Sequence, residues 1–175
     1  GKKGRRAWPK KSRVYDIISK ARNLEKSTDY IIDTYFDSLE MFKEEIAEIR
    51  VAFARYKEAA NLMDYDDLME RLRDELRDNK RFRSAIQKRV KYVLVDEYQD
   101  TNIAQNDIVR FIVGDRSGVT VVGDDTQSIY AFRGANFENI LRFPENFPAC
   151  KVVRIEANYR STKPILNFTN NIVDT

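Results

Sequence analysis

Two adjacent carboxylates, Asp96 and Glu97, directly follow the apolar run Tyr92-Val93-Leu94-Val95. At the end of a strand such a pair can divide labour. One carboxylate holds Mg2+ directly or through water, and the other orients or deprotonates the water that attacks a γ-phosphate. On its own the dipeptide is better explained as a helix N-cap beside a solvated acid. A second polar stretch, Gly123-Asp124-Asp125-Thr126-Gln127-Ser128-Ile129-Tyr130-Ala131-Phe132-Arg133-Gly134-Ala135, follows the run Val119-Thr120-Val121-Val122. Its first glycine permits a tight turn, and Gln127 offers an amide able to sense a phosphate or the attacking water. Tyr130, Phe132 and Arg133 then set two aromatic faces and a guanidinium close together, a combination that suits single-stranded nucleic acid. The same aromatics would serve as core anchors. A third stretch, Glu156-Ala157-Asn158-Tyr159-Arg160-Ser161-Thr162, follows Val152-Val153-Arg154-Ile155. Here Tyr159 could stack on a nucleobase and Arg160 could neutralise charge on a γ-phosphate, although an Arg beside a capping Ser or Thr is ordinarily a surface residue.

All three stretches need strands to present them. In open parallel sheets ligands bind just outside the carboxyl ends of the strands, so residues leaving each strand are the informative ones. The first and third runs are too uniformly apolar for half-exposed hairpin strands and read as central parallel strands. The spacers agree: Asn102 to Val113 is a helix-length segment, and Asn136 to Phe143 another, closed by Pro144 and Pro148. Pro164 sits where the first turn of a further helix would start.

Before residue 90 the pattern is helical. Ile32, Tyr35, Phe36, Leu39, Phe42, Ile46, Ile49, Phe53, Tyr56 and Ala60 recur at steps of three and four, the stripe of a helix of about eight turns. A shorter helix built on Ile17, Ile18, Ala21 and Leu24 precedes it. Another follows Asp64 or Asp66, with Leu68, Leu72 and Leu76 on its inner face. The expected fold class is therefore α/β, a partial parallel sheet preceded by an all-helical region.

Composition narrows the chemistry. The 175 residues contain no histidine and a single cysteine, Cys150. A zinc site, an internal disulfide and a Ser-His-Asp triad are thereby excluded. No apolar stretch approaches the roughly 20 residues needed to cross a bilayer, and no signal peptide opens the chain. A cytoplasmic location is expected. The net charge of +3 is uneven, because seven of the 31 basic residues lie within residues 1–13, which hold no acid; the remaining 24 face 28 acidic residues, a net of −4. Residues 1–13, including Lys2, Lys3, Arg5 and Arg6, read as a basic flexible arm, and such an arm can bind phosphates through counterion release.

Taken together, DEYQDT at 96–101, GDDTQSIYAFRGA at 123–135 and EANYRST at 156–162 resemble motifs II, III and IV of the UvrD/Rep/PcrA superfamily 1 DNA helicases, in order and spacing. Asp64-Tyr65-Asp66-Asp67-Leu68 resembles the short motif near the end of that family's inserted helical subdomain, called 1B. The resemblance implies a RecA-like P-loop NTPase sheet and a division into a 1B-like region at 14–90, the C-terminal part of domain 1A at 91–150 and the start of domain 2A at 151–175. It makes Asp96 the Mg2+ ligand, Glu97 the residue that activates water, and Gln127 the link between nucleotide state and DNA contact. Tyr130, Phe132 and Arg133 would lie along single-stranded DNA, with Phe132 standing where the family usually has Trp. Tyr159 would stack on adenine and Arg160 would reach the γ-phosphate, while Gln99 and Asp100 would supply supporting hydrogen bonds. The activity implied is ATP-dependent translocation on single-stranded DNA and unwinding of duplex DNA with 3′-to-5′ polarity, in repair or replication.

One part of the family pattern is missing. The sequence contains no G-x-x-x-x-G-K-[ST] loop, the element whose backbone N–H groups and Lys hold the triphosphate. ATP and Mg2+ are accordingly expected as cofactors of a longer parent protein, and the chain by itself is expected to be inactive. Two other readings stay open at this stage. One is a non-catalytic single-stranded-DNA-binding or regulatory module that retains helicase motifs; the other is a parent of the helicase-nuclease type. A sheet cut from its first strands would also expose edge groups able to pair with a second chain.

Overall fold

The computed structural model describes residues 7–115, 118–128 and 138–173. Its first half is helical. Helix α1 (Lys11–Asn23) is followed by α2 (Thr28–Tyr35), whose start is fixed by the Ser27 hydroxyl oxygen accepting from the Tyr30 N–H at 3.1 Å. A 3-10 segment (Asp37–Phe42) then leads into α3 (Lys43–Ala59). The single long helix expected from the apolar stripe is thus broken. Phe36 leaves helical geometry (φ −142°, ψ 44°), and Asp37 and Ser38, whose short polar side chains favour local turns over helix interiors, follow at once. The break turns Phe36, Leu39 and Phe42 onto a core of Val14, Ile17, Ile18, Ala21, Ile31, Ile32 and Ile46. Within the basic N-terminal stretch, residues 11–13 already belong to α1, and Trp8 packs edge-on against Phe42 at 4.9 Å between ring centroids.

Helix α4 (Tyr65–Asp78) starts with a reciprocal cap: the Asp67 N–H donates to Asp64 Oδ1 at 2.8 Å and the Asp64 N–H to Asp67 Oδ2 at 2.9 Å. Asp64 is therefore the capping residue of the two candidates. Of the three leucines expected inside, only Leu76 is buried; Leu68 and Leu72 are exposed. Helix α5 (Lys80–Arg89) lacks a clean apolar stripe and was not among the expected elements, yet Asn79 caps it by accepting from the Phe82 N–H at 3.0 Å.

From residue 93 the chain forms a parallel β-α-β unit. Strand β1 (Val93–Val95) pairs with β2 (Val119–Val121) in the register Val93 to Val119 and Val95 to Val121, and α6 (Ile103–Val113) connects them. Asn102 begins α6 with a second reciprocal cap, to Gln105, and Gly114 ends it at φ +61°, a left-handed value that suits glycine. α6 lies against α4 and α5. A polar bridge also ties its start to the first helix, because Asn102 Nδ2 donates to Asn23 Oδ1 at 2.6 Å.

The sheet differs from expectation in two respects. Leu94 is 78% exposed, so β1 shows one bare face and is not central in this chain. No strand forms at Val152–Ile155 among the described residues; residues 151–160 are exposed throughout, and a strand needs a ladder partner that β1 and β2 do not provide here. Helices α7 (Glu138–Leu141) and α8 (Phe143–Asn146) replace the expected segment ending at Phe143. Pro144 occupies the first turn of α8 and so begins a helix that it was expected to close, whereas Pro148 follows the helix end as expected. Helix α9 (Lys163–Val173) starts beside Pro164 as expected. No helix among the described residues is long and apolar enough to cross a membrane.

A candidate active-site fragment at the strand exits

The exit of β1 is a sharp corner. Asp96 Oδ1 accepts from the Glu97 N–H at 2.9 Å, and Glu97 adopts a left-handed backbone (φ 51°, ψ 43°). For a residue with a Cβ that conformation costs about 1–2 kcal/mol, so the surroundings must hold it. They do so through the next residue. Tyr98 is fully buried, its N–H donates to the Val122 carbonyl at 2.9 Å, its ring meets Phe143 edge-on at 5.6 Å, and its hydroxyl bonds to Asn106 Oδ1. Burial pushes the Tyr98 phenol up to about 12. The chain then runs through a 3-10 turn (Tyr98–Asp100) to α6.

Gln99, almost wholly buried, joins this exit to the next. Its Nε2 donates to Glu97 Oε2 at 2.8 Å, and its Oε1 accepts from the Asp124 N–H at 3.1 Å. Asp124 in turn accepts from the Thr126 N–H at 3.0 Å, from the Thr126 hydroxyl at 2.6 Å and from Gln127 Nε2 at 2.6 Å. The side-chain bonds from Thr126 and Gln127 hold the Asp124 carboxyl below its ordinary value. A continuous bonded path thus runs from Glu97 through Gln99 and Asp124 to Gln127.

Gly123 completes the contact for a reason other than the tight turn expected of it. A Cβ there would lie 2.4 Å from Gln99 Oε1 and 2.8 Å from Ile140 Cδ1, so glycine is needed for close packing against the first exit. α7 is fastened to the same place, since Asn139 Nδ2 donates to the Thr101 carbonyl at 3.0 Å and to its hydroxyl at 3.1 Å. Asp100 Oδ1 and Ser128 Oγ are buried with no hydrogen-bond partner among the described residues.

The structure therefore brings together Asp96, Glu97 and Gln127, but not every expected site residue. Tyr159 is 95% exposed, and the N–H groups of Arg160 and Ser161 donate to Asn158 Oδ1 at 2.9 and 3.0 Å, a local turn leading into α9. No hydrogen bond or ion pair among the described residues joins Tyr159 or Arg160 to residues 96–128. Tyr130, Phe132 and Arg133 lie outside the described residues, as do Lys2, Lys3, Arg5 and Arg6. Two open clefts, of about 620 and 520 Å3, lie in the helical half and touch none of the exit residues. Sequence reasoning gave Gln99 only a supporting part and passed over Tyr98. The signal available for both was position: they directly follow the carboxylate pair, where the chain must turn back under the sheet.

The fold and these exits define a class: an α/β unit that gathers its carboxylates and amides at the carboxyl edge of a parallel sheet. The family model of the UvrD/REP helicase N-terminal domain matches residues 3–148. The ATP-dependent DNA helicase Rep of Escherichia coli is 45% identical over 115 residues, covering 66% of this chain and 17% of that protein. DNA helicase II of Salmonella typhimurium is 34% identical over 167 residues (95% of this chain, 22% of the relative), and the ATP-dependent DNA helicase PcrA of Leuconostoc citreum 38% over 133 residues (76% and 18%). The chain belongs to the UvrD/REP helicase family. It spans about a fifth of the length of these relatives.

Proposed function

We propose that the chain is part of an ATP-dependent DNA helicase, in which residues 14–90 form the 1B-like subdomain, 91–150 the C-terminal part of a RecA-like domain 1A and 151–175 the start of domain 2A. The observation that carries this reading is the bonded path from Glu97 to Gln127, which ties a water-activating carboxylate to the loop that leads towards Tyr130, Phe132 and Arg133. The names of the relatives support it.

The residues present fit the cofactors this function requires. Mg2+ in nucleotide sites takes one or two carboxylates together with phosphate oxygens, and Asp96 is an exposed carboxylate at the strand edge with no cationic partner among the described residues. When bound, Mg2+ neutralises charge on the phosphates of ATP. Asp96 would hold it, and Glu97, oriented by its bond from Gln99, would position and deprotonate the attacking water. Gln127 would sense the phosphate. Tyr159 offers an open ring for adenine, and Arg160 would stabilise the γ-phosphate charge. Tyr130 and Phe132 would stack on bases of single-stranded DNA while Arg133 pairs with its phosphates, each stacked base being worth about 1–3 kcal/mol.

A longer protein carrying this chain behind a phosphate-binding loop should hydrolyse ATP in response to DNA. In that protein Glu97→Gln should lower kcat by a factor of about 10²–10⁴ with little change in KM for ATP. Hydrolysis unaffected by the substitution removes Glu97 from the role. The 175-residue chain alone should show no DNA-stimulated ATPase activity. Turnover in it that Glu97→Gln abolishes would overturn the assignment of the phosphate cradle to a segment outside this sequence.

A further inference from the structure

We infer that Gln99 is a positioning residue that couples the first strand exit to the second: its one amide sets the rotamer of Glu97 and, at the same time, the placement of the 123–128 loop. The orientation of that amide is dictated from both sides. The Glu97 carboxylate only accepts and the Asp124 N–H only donates, so Nε2 must face Glu97 and Oε1 must face Asp124, as observed at 2.8 and 3.1 Å. A flipped amide would set oxygen against oxygen and N–H against N–H. An ionised Glu would lack the donor, and Asn is one methylene shorter.

Three further features mark the arrangement as a coupling element. Gln99 is about 1% exposed, so water does not compete for its two bonds, and an amide that donates more strongly on one side accepts more strongly on the other. Gly123 is what admits Gln99 to this position, because a Cβ at 123 would lie 2.4 Å from its Oε1. Asp124, held by Gln99 through its backbone, holds Gln127 through its carboxylate. A change in what Glu97 contacts would thereby reach Gln127 through two residues, the Gln99 amide and then Asp124. The consequence for function rests on the reading of Glu97 as the water-activating carboxylate. The coupling itself does not, and its test uses no nucleotide.

The test is a double-mutant cycle read by amide hydrogen exchange in the 175-residue chain. Gln99→Met keeps the volume and removes both bonds, and should speed exchange of the Asp124 amide about fivefold while leaving amides of the helical core unchanged. Glu97→Ala alone should also speed exchange at Asp124, although the two residues do not touch through their side chains. In the Gln99→Met background Glu97→Ala should add nothing. Glu97→Gln is the conservative control: its amide oxygen can still accept from Gln99 Nε2, so protection at Asp124 should survive in it and fall only in Glu97→Ala. Should Gln99→Met fail to fold, the contrast between Glu97→Gln and Glu97→Ala decides the question. A response of Asp124 to Glu97→Ala that persists without Gln99, an equal response to Glu97→Gln, or no response to Glu97→Ala in the native background, overturns the proposal.

Discussion

Acidic residues occur in two clusters that are partnered in different ways. In the helical half Asp64, Asp67 and Glu70 meet cations: Arg22 bonds to Glu70 at 2.8 Å, to Asp67 at 2.7 Å and to Asp64 at 3.2 Å, and Lys57 reaches Asp64 and Asp67 at 2.6 Å each. At the strand exits Asp96, Glu97 and Asp124 meet only backbone N–H groups, a hydroxyl and neutral amides among the described residues. The first arrangement gives each of its acids a cationic partner and fastens α1, α3 and α4 together. The second meets its negative charge with no cationic side chain among the described residues and fixes direction through neutral donors. Local economy at the exits is traded for availability.

Removing the cation at the centre of the first cluster is the strongest way to break this comparison. Arg22→Met leaves Asp64 and Asp67 to Lys57 alone, and Glu70 without its cation, in a site where Arg22 is only 11% exposed. A loss of about 3–5 kcal/mol is expected, because an uncompensated buried charge remains. Urea unfolding followed by far-ultraviolet circular dichroism measures it, and a loss below about 1 kcal/mol would mean that the cluster does not hold the helices together.

Acid should probe the same cluster. Burial by itself would raise the Asp67 carboxyl, but hydrogen bonds from Lys57, from the Asp64 N–H and from Arg22 outweigh it and hold the group well below the usual carboxylate range. A carboxyl depressed in the folded state adds stability that is fully present above its unfolded value, about 3.9, and is lost as the pH falls below it. Stability measured from pH 6 downwards should therefore hold until about pH 4 and then decline. In Asp67→Asn the plateau should be lower and the decline shallower; an unchanged acid limb would show that other carboxyls govern it.

What could be read in advance follows the same division. The parallel strands at 93–95 and 119–121, the turn into Asp96-Glu97 and the helix after Asn102 were legible because each depends on neighbours in sequence: a β-branched run, then a capping residue, then a helical period. The break at Phe36, the exposure of Leu68 and Leu72 and the absence of a strand at 152–155 were not legible, because each depends on which surface is available to pack against. The Gln99 bridge falls between these cases. Its residue type could be seen, whereas its second partner lies 25 positions away across the sheet.

A smaller effect is expected at the buried anchor beneath the first exit. Tyr98→Phe keeps the ring against Phe143 and deletes the hydroxyl, leaving Asn106 Oδ1 buried without that partner. The cost should be about 1–3 kcal/mol. Because the ring and the backbone bond to Val122 remain, protection of the Asp124 amide should be unchanged. If it falls along with stability, the hydroxyl also orients the exit and the anchor is part of the site.

The smallest effect tests the third exit, where the apolar run most resembled a strand and none formed. Ile155 is 82% exposed, and Val152 and Val153 are about as open. Burial would be worth about 1.5–3 kcal/mol for an isoleucine, and exposure makes that gain unavailable. Ile155→Ser should therefore change the unfolding free energy by less than about 0.5 kcal/mol, with the urea midpoint and slope both unmoved. A larger loss would show that residues 152–155 are buried in solution, either on this chain or against another copy. Repeating the measurement over a range of concentrations separates the two, since only contact with another copy makes the midpoint depend on protein concentration.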